Sequence, residues 1–93
     1  MKQYTTNQFT FDPHSLRAIT DYLRATGWTR IKYQNRRLAV YAKELQVGEP
    51  PAIVALPDKP SYSDFSTRML EAVERLAKVE ETTPGDMYQK IQS

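Results

Sequence analysis

The sequence has no cysteine and a single histidine, His14, among 93 residues. Without thiols the chain forms no disulfide, does no thiolate chemistry and offers no Cys-ligated zinc site. One imidazole leaves too few strong ligands for a transition metal, so no metal and no other cofactor is expected. Glycine is scarce, at 27, 48 and 85 only, and no Gly-rich run exists to cradle a phosphate. The longest apolar run is Ala52–Leu56, far short of a membrane span. The opening Met1-Lys2-Gln3-Tyr4-Thr5-Thr6 lacks an apolar signal core. A cytoplasmic protein without membrane association is the expectation.

A chain of this length supports one small domain spanning residues 1–93, with every element contributing to one core. Six prolines, at 13, 50, 51, 57, 60 and 84, punctuate it without interrupting any periodic stretch. Residues 4–11 alternate Phe9 and Phe11 with polar side chains, which suits a short edge strand or a flexible arm. Asp12 as cap and Pro13 at the first helical position predict a helix over 13–26, with Leu16, Ile19 and Leu23 on one face. Gly27 then takes positive φ, and Trp28 packs back on Leu23. Thr29–Tyr33 and Leu38–Lys43 alternate as strands around the polar turn Gln34-Asn35-Arg36-Arg37. Ala52–Leu56 reads as a third, mostly buried strand.

Phe65, Met69, Ala72, Leu76 and Val79 step by three and four, predicting a long helix over 63–81 capped by Ser61 or Ser63. Thr83-Pro84-Gly85-Asp86 opens a short helix over 84–91 that docks Met87 and Ile91. The predicted fold is α+β: a three- or four-stranded antiparallel sheet with the two main helices on one face, in the order (β)-α-β-β-β-α-α. The expected core is Leu16, Ile19, Leu23, Ile31, Val40, Val54, Phe65, Met69, Leu76 and Val79.

The net charge is only +2, but it is unevenly spread. Residues 17–43 hold seven bases and one acid; residues 44–93 hold nine acids and five bases. If the helices cover the face carrying Ile31, Tyr33, Leu38 and Val40, the opposite face carries Arg30, Lys32, Tyr41 and Lys43. Arg36 and Arg37 stand at its end. This basic and aromatic surface is the candidate binding site. Such a face suits a protein partner or self-association, through Tyr and Arg anchors. It equally suits phosphate contact and base stacking on RNA or DNA, or stands as solvated surface.

Catalytic chemistry finds little support in the residues. His14 sits beside a helix cap, where an exposed histidine is commonplace. No Ser or Thr stands in a nucleophile elbow. The pairs Glu71/Glu74 and Glu80/Glu81 read as solvated helix charges. The expectation is a small non-catalytic interaction or regulatory module.

The stretch from Leu16 to Leu56 resembles the HicA-type toxin family, small domains similar to double-stranded-RNA-binding folds. The matching features are a first helix ending in Gly27-Trp28, alternating strands, and a third strand ending in Leu56-Pro57. The resemblance covers about half the chain and implies an α-β-β-β-α topology and a bacterial, toxin–antitoxin-like RNA-binding role. The family's ribonuclease chemistry uses a histidine in a Gly-Ser-His-like stretch. This chain has Tyr33-Gln34-Asn35-Arg36-Arg37 there, so the topology is expected to carry over and the activity is not. The chain also looks like small bacterial proteins with a Gly-Trp…Leu-Pro pattern and a long second helix.

Overall fold

The computed structural model describes residues 9–92. Its elements are α1 (Pro13–Ala25), β1 (Thr29–Ile31), β2 (Leu38–Lys43), β3 (Ala52–Pro57), α2 (Phe65–Val79) and α3 (Pro84–Gln92). The three strands form one antiparallel sheet in the order β1-β2-β3. The α-β-β-β-α-α arrangement is the one the sequence predicts. The suggested N-terminal strand is not seen among the described residues, and residues 4–8 lie outside them. Phe9 and Phe11 instead pack on Tyr88 of α3, with ring centroids 4.8 and 5.8 Å away. The Tyr88 hydroxyl donates to the Thr10 carbonyl at 3.0 Å.

Local chemistry sets the helix ends. The Asp12 carboxylate accepts the Ser15 N–H at 2.9 Å, and the Ser15 hydroxyl accepts the Asp12 N–H at 3.1 Å. This reciprocal pair satisfies two donors that the first turn leaves unpaired. At the other end Gly27 has φ +94, as expected. The Trp28 N–H reaches the Leu23 carbonyl at 2.9 Å and the Gly27 N–H reaches Arg24 at 3.3 Å, the two bonds of a Schellman ending.

α2 ends in the same way, with Thr82 N–H to Ala77 at 2.9 Å and Glu81 N–H to Lys78 at 3.2 Å. Here the left-handed residue is Glu81, φ +58. The start of α2 differs from expectation. Asp64, not Ser61 or Ser63, is the cap residue, and its side chain makes no cap bond. Two guanidinium groups draw the carboxylate away, Arg68 at 3.2 Å and Arg37 at 4.0 Å. α3 is capped as predicted, by the Thr83 hydroxyl accepting the Asp86 N–H at 3.1 Å.

One continuous core joins Ile19 and Leu23 of α1, Phe65, Met69 and Leu76 of α2, and Met87 and Ile91 of α3 to Trp28 and the sheet. On the sheet it is met by Ala39, Tyr41, Val54 and Leu56. Leu16 and Val79 are half-buried at its margin, and Val40 is buried outside it. Ile31, expected in the core, is 38% exposed.

Leu76 is fully buried, so Leu76→Ala should lower the unfolding free energy by about 2–5 kcal/mol in denaturant titration. The two helix ends should respond in opposite directions. Gly27→Ala should destabilise by about 1 kcal/mol, since the added Cβ is strained at this φ, although it meets only Lys43, at 3.7 Å. Glu81→Gly should raise the melting temperature by relieving the same strain.

Candidate functional site

The strand register decides what each sheet face carries, because directly paired residues point the same way. Tyr41 pairs with Arg30 on one side and Val54 on the other. Ala39 pairs with Leu56, and Lys43 with Ala52. These residues occupy the face covered by the helices, and Tyr41 is only 2% exposed. The opposite face carries Thr29 and Ile31 from β1, Leu38, Val40 and Ala42 from β2, and Ile53, Ala55 and Pro57 from β3.

The expected face assignment is therefore reversed. Arg30, Tyr41 and Lys43 do share one side, as alternation requires, but it is the helix side. The reason lies in side-chain shape. Ala39 and Ala52 let the helices approach, and Tyr41 supplies a large apolar body at the centre of the middle strand. Lys43 runs its stem along the strand end and donates from Nζ to the Thr26 carbonyl at 2.6 Å. Tyr33, expected in β1, lies in the exposed β1–β2 loop.

The six expected site residues consequently do not form one surface. Arg30 approaches Asp58 at 4.0 Å. Arg37 approaches Asp64 at 4.0 Å and stacks over the Tyr62 ring, 4.0 Å from its centroid. Tyr41 belongs to the core, and Lys43 closes the end of α1. Of the six, Lys32 and Arg36 are the exposed cations in no ion pair with another described residue. They project from the loop over 32–37.

The uncovered face carries no charged side chain. Val40 and Pro57 on this face are buried, Val40 at 4%, and its exposed large apolar side chains are Ile31 and Ile53, at 38% and 37%. Among the described residues, the other exposed large apolar side chains are Tyr33, Leu45 and Val47, all in the two loops that connect the strands. None of the described helices exposes one. The loops at opposite ends of this face differ in sign: residues 32–37 hold Lys32, Arg36 and Arg37, and residues 44–51 hold Glu44 and Glu49. Beside the free edge of β3 lies an open groove of about 920 Å³. Leu38 and Ala55 line its sheet side, and Arg68, Glu71, Arg75 and Lys78 its α2 side.

A second polar cluster ties the three helices together. The Tyr22 hydroxyl donates to Glu80 Oε2 at 2.5 Å, and Lys90 Nζ donates to Glu80 Oε1 at 3.0 Å. Burial pushes the Glu80 carboxyl up, but these two donors outweigh it and hold the group below the usual glutamate range, with Lys43 adding to the effect. Burial first, and then the bond to Glu80, push the Tyr22 phenol well above its ordinary value. Both carboxylate oxygens are engaged within the fold, so the cluster acts as a latch between α1, α2 and α3. Sequence reading treats Glu80 as a solvated charge; its partners lie 58 and 10 residues away, and no local spacing reveals them.

Among the described residues no group of three His, Asp or Glu side chains is placed to hold a metal ion, and none of the helices is long and apolar enough to cross a membrane.

Glu80→Gln should lower stability by about 1–2 kcal/mol at neutral pH, the usual cost of weakening a hydrogen bond to a charged acceptor. Glu80 is bound as the carboxylate, so its contribution is present above its unfolded pKa and fades as pH falls through the depressed folded value. Tyr22 is bound as the neutral phenol, so its contribution is present below about pH 10 and fades as pH rises beyond it. Denaturant midpoints measured across pH should therefore vary less at both extremes in the variant.

No family model matches the chain, and neither a curated protein nor a solved structure matches it.

Proposed function

We propose that this protein is a non-catalytic docking module that binds another protein surface through the uncovered face of its sheet. The observation that carries this reading is the distribution of exposed apolar side chains. Ile31, Tyr33, Leu45, Val47 and Ile53 all belong to the sheet or its connecting loops, around a face without charge. Exposed apolar surface rimmed by polar groups is characteristic of protein–protein contact sites. The contact surface thus differs from the basic and aromatic face first expected, while the docking role is retained.

A nucleic-acid role of the HicA type draws less support. Two of the four arginines and lysines over 30–37 are engaged with Asp58 and Asp64. Tyr41 is buried and offers no ring for base stacking.

The test compares the full chain with Ile31→Lys/Ile53→Lys. Each substitution falls on a partly exposed residue and should change stability by no more than about 1 kcal/mol. The double variant should lose the homo- or hetero-complex that the wild type forms, as judged by light scattering and by co-purification with a tagged chain. A control, Arg17→Glu at an exposed position of α1, should keep it. Identical complexes from wild type and the double variant would overturn the reading. Binding to RNA or DNA that survives the double variant and falls steeply with salt would replace it with the nucleic-acid role.

A further inference from the structure

Resting on the docking reading, a more specific partner can be named: we infer that the face is occupied by a second copy of this chain. The two sheets pack face to face about a two-fold axis that runs their strands antiparallel, so that the basic β1–β2 loop of each copy lies over the acidic β2–β3 loop of the other.

The occupant is constrained by three features of the face. Its exposed apolar side chains, Ile31 and Ile53, stand on either side of the buried Val40 with no charge between them, so a partner must present an apolar, uncharged surface there. One end carries Lys32 and Arg36 without ion-pair partners among the described residues. The other carries Glu44 and Glu49, likewise unpaired. A partner must therefore be acidic at the first end and basic at the second. A polyanion satisfies neither the centre nor the acidic end.

The chain itself satisfies all three when turned by a two-fold rotation, since an isologous contact places each patch against its own complement. β2 and β3 are six residues each, so the opposite-signed loops stand one strand length apart on both copies. Sheets stacked at about 10 Å interdigitate their facing side chains and keep their strands nearly aligned. That arrangement brings Tyr33 of one copy towards Leu45 and Val47 of the other, covering the remaining exposed apolar side chains. It also buries no lone charge in the centre, the arrangement that most often defeats an interface.

Reversing the charge at one end tests the pairing directly. One variant, Lys32→Glu/Arg36→Glu, has two acidic ends. The other, Glu44→Lys/Glu49→Lys, has two basic ends. By sedimentation equilibrium the wild type should sediment at twice the chain mass of 10.8 kDa. Each variant alone should sediment as the monomer, and an equimolar mixture should recover the dimer, because only the mixed pair restores opposite signs at both ends. Thermal melts of each variant check that it is folded.

On the wild type itself, isotope-filtered NMR should show methyl contacts between copies at Ile31 and Ile53. A wild type that stays monomeric at about 100 μM, variants that dimerise alone, or a mixture that stays monomeric would each overturn the homodimer. A monomeric wild type that still retains a partner through Ile31 and Ile53 overturns the homodimer and leaves the docking reading standing. Loss of that face-dependent contact as well removes both.

Discussion

Tyr41 sits at the middle of the middle strand, paired with Arg30 on one side and Val54 on the other, with its ring under the helices. Burying that ring decides the rest of the molecule. It commits Ala39, Val54 and Leu56 to the same side and supplies the floor on which Leu23, Met69 and Leu76 pack. Because side chains alternate, it also commits Ile31, Val40 and Ile53 to the other side. A single buried aromatic residue thus creates both the core and the uncovered apolar face opposite it.

The helices need a further constraint, since α1 and α3 touch the sheet less than α2 does. Glu80 provides it from the end of α2, with Tyr22 of α1 on one carboxylate oxygen and Lys90 of α3 on the other. Lys43 extends the same region to the end of β2 by bonding the Thr26 carbonyl. The ionisable groups that a functional reading would first consider are thereby used to hold the layers together.

Element identity was readable wherever the signal was local. The Asp12 cap, the Gly27 ending and the Thr83 cap each depend on residues within one turn, and all three form as expected. The long stripe of α2 is likewise intrinsic to its spacing. Asp64 shows how that legibility fails: a distant Arg37 competes for the carboxylate, and the cap bond is not made. The candidate site was less legible for a related reason. In β2 the residues Leu38, Val40 and Ala42 look more apolar than Ala39, Tyr41 and Lys43, while β3 is apolar on both sides and breaks no tie. Counting hydrophobicity therefore favours the wrong face, because it credits neither the volume of a tyrosine ring nor the reach of a lysine stem.

By itself, then, the sequence determined the order of elements, the positions where helices stop, the alternation that groups Arg30 with Tyr41, and the opposite charges of the two strand loops. These are properties of spacing and of local hydrogen bonding, and they hold whatever the chain packs against. Only the tertiary structure decided which face of the sheet the helices cover, which arginines are held by Asp58 and Asp64, and that Glu80 is a latch. Those outcomes depend on volumes and distances between residues far apart in the chain, where packing the helices on the sheet at close density selects one arrangement that no single segment encodes.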